Sequence, residues 1–454
     1  MHHRLPRVAG AHEHLVIVGN GMAGHRLIEA LRKRLDGPLP ITVLGDERTA
    51  AYNRIMLSPL LAGEMDREGV ALSDDEWYAE QGIELILGER VAKLDRQVKY
   101  LTTDTGRQLA FDRLILATGS RPSMPDIEGI TLAGVHGFRD LKDAAALTAA
   151  AEKGGHAVVV GGGLLGLEAA EGLRKQAFRK QGSQQQNQDT QGLQVSVLQR
   201  AGRLMNRQLD ATAASLLEAE LVGRGLEVHT EARLAALEGD ANGHVVAVRL
   251  EDGRRLPADC VVIAAGITPN DQLGRQAGLD VDRAIVVDDT LTTSDPAIHA
   301  LGECCQFQSK TYGLVEPIWR QVEVLAEYLA NKATGADSQA RYVERPSATQ
   351  LKISGISLYA FGPTEPDDDH DVLSYHDPAQ GDYRRLLLRN GRLEGVVLYG
   401  DTAMGPWYFA QAQSGRDLSA CRQALLLGSA DADALLDAHD TRLDEHARPQ
   451  KEAA

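Results

Sequence analysis

A chain of 454 residues exceeds the size at which one hydrophobic core stops growing, so its length predicts two or three domains. The formal net charge of −16 disfavours nucleic acid and anionic membranes as partners, because both bind basic surfaces. No apolar run approaches the roughly 20 residues that cross a bilayer, and the first residues lack the apolar core of a secretory signal. We therefore expect a cytoplasmic protein.

The first predicted elements form a dinucleotide-binding turn. The sequence LVIVGNGMAGHRLIEAL, residues 15–31, contains a β-branched strand, a glycine cluster and a helical pattern. We expect Gly19 to make the tight turn, Gly21 to let the backbone approach a pyrophosphate, and Gly24 to let helix and strand pack closely. The phosphates would face the positive end of the helix dipole. The other residues of this turn are Met22 and Ala23.

The next strand, in the sequence ITVLGDE, ends in Asp46 and Glu47. A carboxylate at the end of the second strand of such a fold hydrogen-bonds the adenine ribose. We therefore expect Asp46 or Glu47 to make this contact.

Residues 155–270 repeat the plan of strand, glycine turn, helix and strand. In the sequence VVVGGGLLGLEAAEGL, Gly161, Gly163 and Gly166 have the same relationship to a strand and a helix as the first glycine cluster. This turn also contains Leu164 and Leu165. Two such turns predict two separate dinucleotides.

The second strand of the repeat ends in Gln199 and Arg200 instead of an acid. An acid there would favour NADH by binding its 2′-hydroxyl, and it would repel the phosphate of NADPH. A neutral amide followed by arginine leaves NADH and NADPH both open.

The remainder of the chain has a different character. The polar, Gln-rich residues 180–192 predict an exposed insertion loop within the repeat. From about residue 342 the pattern indicates a small α+β domain, in which RNGR predicts a hairpin turn because Asn-Gly accepts positive φ. Residues 431–454 are highly charged, and we expect a flexible tail.

The cysteines and histidines predict neither a disulfide framework nor a metal centre. Four cysteines are too few and too scattered for a scaffold, and we expect adjacent Cys304 and Cys305 to be reduced, since vicinal disulfides are strained. The N-terminal histidines and His370 lack the spacing of a metal ligand set, so we expect solvated groups there.

Two further stretches resemble the second and third FAD signatures of flavoprotein reductases with two dinucleotide sites. They are LILATGSRP, residues 114–122, and LTTSDPAIHALGECC, residues 291–305. The first contains Ala117, Thr118 and Gly119. By this resemblance the second brings Gly302 and Glu303 to the ribityl and pyrophosphate groups of FAD, although many relatives have aspartate where this chain has Glu303. The order of all four motifs implies FAD at the first glycine turn and a nicotinamide coenzyme at the second.

Residues 51–64, AYNRIMLSPLLAGE, and residues 302–321 resemble the flavoprotein portion of bacterial assimilatory NAD(P)H nitrite reductases. They are equally similar to the stand-alone electron-transfer flavoproteins of assimilatory nitrate reductase, and more distantly to rubredoxin and ferredoxin reductases. The resemblance implies that four residues lie along the FAD phosphates and isoalloxazine: Tyr52, Asn53, Arg54 and Ser58. Where ferredoxin-reductase relatives have a lysine near the flavin N5, this chain has Pro59.

The resemblance also assigns residues near the reacting rings. Glu168 would hold the carboxamide of the nicotinamide. A helix from about Pro317 would point its N-terminus toward the flavin N1–C2=O edge and stabilise negative charge there. We add Gly266, which follows the last strand of the repeat, to the cofactor-binding candidates.

Missing cysteines narrow the expected activity. No cysteine precedes Cys260, so the C-x4-C disulfide of glutathione-reductase-type enzymes is missing, as is the reactive cysteine of many NAD(P)H oxidases. No cysteine follows Cys421, so nothing there could ligate an iron–sulfur cluster, which takes about four cysteines. We expect that the chain does not reduce nitrite alone and passes electrons to another protein.

The expected function is therefore that of an NAD(P)H-dependent FAD oxidoreductase that delivers electrons to a redox-protein partner in nitrate or nitrite assimilation. That partner would be a nitrate or nitrite reductase component, a rubredoxin or a ferredoxin. A rubredoxin or ferredoxin reductase of another pathway is the main alternative. An NAD(P)H oxidase and a flavin-binding redox sensor are weaker alternatives. A homodimer is left open.

The predicted fold is α/β, with two Rossmann-like dinucleotide-binding domains and a small α+β C-terminal domain. We expect a discontinuous FAD-binding domain of residues 12–125 and 280–335, and an NAD(P)H-binding domain of residues 126–279. The C-terminal domain would comprise residues 342–430.

Overall fold

The computed structural model of the chain describes residues 13–35, 37, 39–183, 192–353 and 355–447. Its strands are β1 Leu15–Val18, β2 Ile41–Gly45, β3 Ile83–Leu87, β4 Val91–Asp95, β5 Tyr100–Thr103, β6 Gln108–Ala110, β7 Arg113–Leu116, β8 Ser120–Pro122, β9 Val135–His136, β10 Gly155–Val160, β11 Leu193–Leu198, β12 Glu227–His229, β13 Leu234–Gly239, β14 Val245–Leu250, β15 Arg255–Pro257, β16 Cys260–Ile263, β17 Ile267–Pro269, β18 Ile285–Val287, β19 Ile298–Ala300, β20 Cys305–Phe307, β21 Lys310–Thr311, β22 Thr349–Ile353, β23 Ile356–Phe361, β24 Asp371–Asp377, β25 Asp382–Arg389 and β26 Arg392–Tyr399. Its helices are α1 Met22–Arg32, α2 Leu57–Leu61, α3 Asp75–Glu80, α4 Leu141–Lys153, α5 Leu164–Ser183, α6 Ala211–Gly223, α7 Gln272–Gln276, α8 Val315–Thr334, α9 Gly405–Ser414 and α10 Ser429–Ala447.

The chain divides into two compact units. Unit 1 comprises Met1–Met124, Phe138–Ala145 and Gly266–Arg345. Unit 2 comprises Pro125–Gly137, Ala146–Ala265 and Pro346–Ala454.

Unit 1 is built on a parallel sheet with the strand order β19–β7–β1–β2–β3. Every residue of β1 is buried, as expected for a parallel strand that is covered on both faces. Helices α1 and α8 pack together, and the guanidinium carbon of Arg26 lies 5.3 Å from the ring centroid of Trp319. Because β1 has β2 on one side and β7 on the other, the carboxyl ends of these three strands meet at one edge of the sheet.

Unit 2 contains a second parallel sheet, with the strand order β12–β11–β10–β16–β9. In it β10 and β11 are adjacent and parallel, as β1 and β2 are in unit 1. The C-terminal residues form an antiparallel sheet with the order β22–β23–β26–β25–β24, and α9 and α10 contribute to its core around Tyr408, Leu418 and Leu436. These two parallel sheets and the small α+β portion confirm the predicted fold class.

In the C-terminal region the predicted hairpin turn is present, whereas the predicted flexible tail is largely helical. Asn390 and Gly391 have φ of 51° and 74° between β25 and β26, which confirms the predicted hairpin turn. The expected tail from residue 431 differs from the structure, because α10 runs to Ala447 and buries Ala432 and Leu436. Residues 448–454 and most of the Gln-rich insertion lie outside the described residues. No helix within the described ranges is long and apolar enough to span a bilayer.

Candidate functional site

The first glycine turn joins β1 to α1 in unit 1. Gly19 has a φ of +113°, and a Cβ atom added there would overlap the carbonyl group of Ala117 at the end of β7. A Cβ atom on Gly24 would overlap the carbonyl oxygen of Gly19, so helix and strand touch at this point. At Gly21 an added Cβ would have no neighbour within 4 Å. The turn therefore leaves the backbone of Gly21 open to an approaching group.

The N-terminus of α1 is suited to an anion. Gly21 is the N-cap, no side chain among the described residues caps this end, and the first turn contains no acid. Met22 and Ala23 begin the helix, so their backbone N–H groups point out of the open end. Unsatisfied N–H groups at the positive end of a helix dipole favour phosphate.

Glu47 lies beyond the end of β2 and is held by two side chains. The Tyr52 hydroxyl donates to its Oε2 at 2.8 Å, and Arg54 forms an ion pair with its Oε1. The Arg54 guanidinium also donates to the backbone carbonyl of Arg139 at 2.9 Å. Burial raises the pKa of Tyr52, so its hydroxyl stays protonated. Asp46, the other expected ribose ligand, is exposed.

Glu303 lies at the start of a second cluster in unit 1. Its carboxylate accepts a hydrogen bond from Ser120 at 2.8 Å and pairs with Arg139. The preceding Gly302 has a φ of +86°, and an added Cβ there would lie 3.5 Å from the Cβ of Ala23. The Glu303 cluster therefore adjoins the first glycine turn.

Gln321 on α8 supports the backbone at Gly302 from inside the protein. It is fully buried, and its Oε1 accepts a hydrogen bond from the Gly302 N–H at 2.8 Å. Its Nε2 has no partner among the described residues. The sequence did not identify three residues that contact Glu303 or Gly302, namely Ser120, Arg139 and Gln321. The available signal was Glu303 itself, since a carboxylate at the end of a buried strand requires a cation or hydrogen-bond donors.

The remaining expected residues of unit 1 are distributed around these two clusters. Ala117, Thr118 and Gly119 follow β7, where the Thr118 hydroxyl donates to the Asn270 carbonyl at 2.7 Å. Asn53 accepts from the Ile55 N–H and begins a short 3-10 turn, and Ser58 follows in α2. Gly266 has a φ of +115° beside β17. Pro317 is buried in the first turn of α8, which begins two residues earlier than expected, at Val315.

The second glycine turn, between β10 and α5 in unit 2, has the same geometry as the first. Gly161 has a φ of +127°, and its added Cβ would overlap the carbonyl group of Ala264. A Cβ on Gly166 would overlap the carbonyl oxygen of Gly161, whereas one on Gly163 would have no neighbour within 4 Å. The first turn of α5 contains no acid. Leu164, Leu165 and Glu168 are half-buried near the start of α5.

Gln199, an expected coenzyme contact, uses its side chain within the protein. Its Oε1 accepts from the Gly162 N–H at 3.2 Å, and its Nε2 donates to the Arg203 carbonyl at 3.0 Å and to Asn206 Oδ1 at 3.2 Å. The adjacent Arg200 is exposed. The structure therefore brings Arg200, but not the Gln199 amide, to the surface beyond β11.

The cysteines are free thiols and all four are buried. Burial raises the pKa of Cys260 to about 12 and also raises the pKa of Cys304, Cys305 and Cys421. In the described ranges, no group of three or more His, Cys, Asp or Glu side chains is placed to hold a metal ion.

Comparison with known proteins places these features in a family. The model of the family described as pyridine nucleotide-disulphide oxidoreductase matches residues 13–324, and that of the rubredoxin NAD+ reductase C-terminal domain matches residues 346–414. The crystal structure of the covalent putidaredoxin reductase–putidaredoxin complex superposes with a TM-score of 0.80 and 26% identity, covering 94% of this chain and 99% of that chain.

Two relatives come from Bacillus subtilis. Its nitrite reductase (NAD(P)H) is 39% identical over 405 residues, which cover 89% of this chain and 48% of that protein. Its assimilatory nitrate reductase electron transfer subunit is 36% identical over 414 residues, which cover 91% of this chain and 51% of that protein. The chain thus spans about half the length of these relatives. Because the first family match extends over both parallel sheets and both glycine turns, the chain belongs to the pyridine nucleotide-disulphide oxidoreductase family.

Proposed function

We propose that the chain takes electrons from NADH or NADPH bound at unit 2 and passes them, through FAD bound at unit 1, to a separate redox protein. The observation that carries this proposal is the repeated geometry of the two glycine turns. In each turn one glycine has positive φ, one touches the strand, and one is open to solvent. Two open turns at helix N-termini support two dinucleotides.

The residues of unit 1 fit FAD. The open backbone at Gly21 and the uncapped start of α1 would bind the pyrophosphate. Glu303, next to this turn, would bind the ribityl hydroxyls as an acceptor, while Arg139 balances its charge. Bound FAD supplies the chemistry, because it accepts a hydride from a nicotinamide and can release electrons singly. The protein supplies position and electrostatics.

Three further groups would position the cofactors or stabilise charge: the N-terminus of α8, Glu47 and Glu168. The N-terminus of α8 around Pro317 would stabilise negative charge by about 0.3–1 kcal/mol. Glu47 would bind the adenine ribose of FAD, since Tyr52 and Arg54 fix its carboxylate. In unit 2, Glu168 near the start of α5 would hold the nicotinamide carboxamide.

We propose that the electrons serve nitrate or nitrite assimilation, supported by the similarity to the two Bacillus subtilis proteins. The redox partner would be a component of nitrate or nitrite reductase. We also propose a cytoplasmic location, supported by four unpaired thiols, which persist in a reducing compartment.

A reductase for rubredoxin or ferredoxin in another pathway is the second candidate. It is favoured by the match of residues 346–414 to the rubredoxin NAD+ reductase C-terminal domain and by the likeness to the putidaredoxin reductase complex. The two candidates differ in the acceptor. Steady-state reduction rates with purified rubredoxin, ferredoxin and a nitrite reductase module will separate them.

The open glycines allow a test of the whole scheme. Neither Gly21 nor Gly163 has positive φ, and a Cβ atom added at either position meets no atom within 4 Å. A variant with valine at either position should therefore fold, and the valine side chain should fill the space that a phosphate needs. We expect Gly21→Val to purify without flavin absorbance. We expect Gly163→Val to retain FAD but not to bleach when NADH or NADPH is added without oxygen.

Gly223, at the end of α6, is the matched control, because its added Cβ also has no neighbour within 4 Å. Gly223→Val should be yellow and should bleach like the unmodified protein. A colourless unmodified protein that takes up no FAD, or rapid bleaching of Gly163→Val, would contradict the proposal.

A further inference from the structure

The carboxyl ends of β2 and β11 differ in charge. β2 is followed by Asp46 and Glu47, whereas residues 199–209 after β11 contain three arginines and no acid. In dinucleotide-binding folds, a carboxylate at this place selects the 2′-hydroxyl of NADH, and a nearby arginine accommodates the 2′-phosphate of NADPH. The charge of residues 199–209 therefore bears on which coenzyme unit 2 accepts.

Gln199 occupies the position of the ribose ligand, but its side chain is not available. Both hydrogens of its amide are used, toward the Arg203 carbonyl and Asn206 Oδ1, and its oxygen accepts from Gly162. The side chain is buried, with 9% of its surface exposed. Gln199 therefore ties residues 199–206 to the second glycine turn and leaves no donor or carboxylate for a 2′-hydroxyl.

The three arginines of this segment are in different situations. Arg203 pairs with Glu365, with 2.7 Å between Nη2 and Oε1. Arg207 is exposed in the turn that leads to α6. Arg200 is exposed directly after Gln199 and makes no hydrogen bond or ion pair with any residue that the structure describes. Arg200 and Arg207 are thus both exposed, and of the two it is Arg200 that directly follows Gln199, at the position where the coenzyme phosphate would arrive.

Besides Glu365, a second carboxylate approaches the segment, from the loop after β12. The Oε1 of Glu231 would lie 3.9 Å from a Cβ atom added to Gly202. Since Glu365 neutralises Arg203, the local balance is Arg200 and Arg207 against Glu231. The segment retains positive charge, which attracts a phosphate and gives no advantage to a hydroxyl.

We propose that unit 2 binds NADPH in preference to NADH and that Arg200 binds the 2′-phosphate. The inference rests on the proposed function, in which unit 2 binds the coenzyme. The guanidinium presents a planar fork of N–H donors that matches phosphate oxygens. Because Gln199 fixes the segment against the glycine turn, the phosphate meets a site that is ordered before binding.

The test uses two nucleotides that differ only in the 2′-phosphate, adenosine 2′,5′-bisphosphate and 5′-AMP. Each is titrated into the whole FAD-containing protein by calorimetry. We expect the bisphosphate to bind at least about tenfold more tightly, as for a charge-assisted hydrogen bond. Arg200→Ala should abolish this difference and leave the affinity for 5′-AMP unchanged. Arg207→Ala removes the same charge from the same segment and should preserve most of the difference.

Equal affinity of the unmodified protein for the two nucleotides would overturn the inference, as would an unchanged ratio in Arg200→Ala. Equal losses in Arg200→Ala and Arg207→Ala would overturn the assignment to Arg200, because they indicate a diffuse charge effect. The titration requires no electron transfer. A protein that prefers the bisphosphate but reduces no acceptor would therefore contradict the proposed function and leave this inference standing.

Discussion

Buried glutamine side chains support turns in both units. Gln321 accepts from the N–H of Gly302, and Gln199 accepts from that of Gly162. These partners are 19 and 37 residues apart, so no local pattern could predict the contacts. The glycines were predictable because positive φ and close approach are consequences of a short motif. Sequence therefore located the turns but not the side chains that hold them.

Asp210 is a buried carboxylate of unit 2 that accepts three hydrogen bonds. It is fully buried at the N-cap of α6, where it accepts from the Ala213 N–H at 2.9 Å, from Tyr383 at 2.5 Å and from Arg385 at 2.7 Å. We expect Asp210→Asn to lower the free energy of unfolding by about 3 kcal/mol, because Arg385 loses its buried partner. Urea denaturation measures the change.

Asp74 provides the control for this substitution. It caps α3 through the Trp77 N–H at 2.8 Å, but it is exposed. Asparagine is about as good an N-cap as aspartate, so Asp74→Asn should have little effect. Similar losses for the two variants would show that capping, and not the buried ion pair, accounts for the stability.

At the scale of elements, the strand–glycine–helix segments were predictable because buried β-branched runs and helical periodicity agree with the glycine spacing. The C-terminal helix α10 was not, because its charged composition hides the contribution of Ala432 and Leu436 to the core. The start of α8 was expected at about Pro317, but Val315 and Glu316 precede it in the helix.

The contact between β19 and α8 contains a buried histidine. The His299 ring lies 5.6 Å from that of Tyr328, and its Nδ1 is 3.2 Å from the Thr292 hydroxyl. Burial, assisted by Arg113 and Lys332, lowers the pKa of His299 to about 3. Between about pH 6.5 and pH 3 the unfolded chain therefore binds a proton that the folded chain does not, so stability falls as the pH falls.

We expect His299→Leu to reduce this acid sensitivity. Thr292 retains the Thr290 hydroxyl as a partner, so no new unpaired group results. From about pH 7.5 to pH 5 the unmodified protein should lose about 2 kcal/mol more stability than the variant. Urea denaturation at both pH values measures the difference. The control is His376→Leu, at an exposed histidine, which should leave the pH dependence of stability unchanged. An unchanged pH dependence in His299→Leu would contradict the assignment of the acid sensitivity to His299.

At the scale of the whole molecule, the chain enters and leaves the Gln-rich insertion at the ends of α5 and β11 that are opposite the proposed coenzyme site. The described residues that flank it are Ser183, at the end of α5, and Gly192, before the first residue of β11. The second glycine turn and Arg200 lie at the opposite end of those elements. We therefore expect that replacing residues 184–191 with two glycines leaves FAD content and the rate of flavin bleaching unchanged.

Absorbance of the purified variant and anaerobic stopped-flow reduction measure these quantities. A control that replaces only Gln199 and Arg200 with glycine should weaken coenzyme binding, since it removes the Gln199 anchor and the proposed Arg200 contact but keeps the buried Leu204 and Met205. A large loss of reduction rate on removal of residues 184–191 would show that the insertion contributes to coenzyme binding or to a partner contact.

The burial of all four thiols has a consequence for the proposed transfer of single electrons when oxygen is present. Oxygen that takes up two electrons and two protons becomes hydrogen peroxide. A thiolate attacks peroxide, breaks its O–O bond and becomes a sulfenic acid. With each sulfur buried and its pKa raised, the chain offers peroxide almost no thiolate. A reductase built in this way would withstand its own toxic by-product during prolonged turnover.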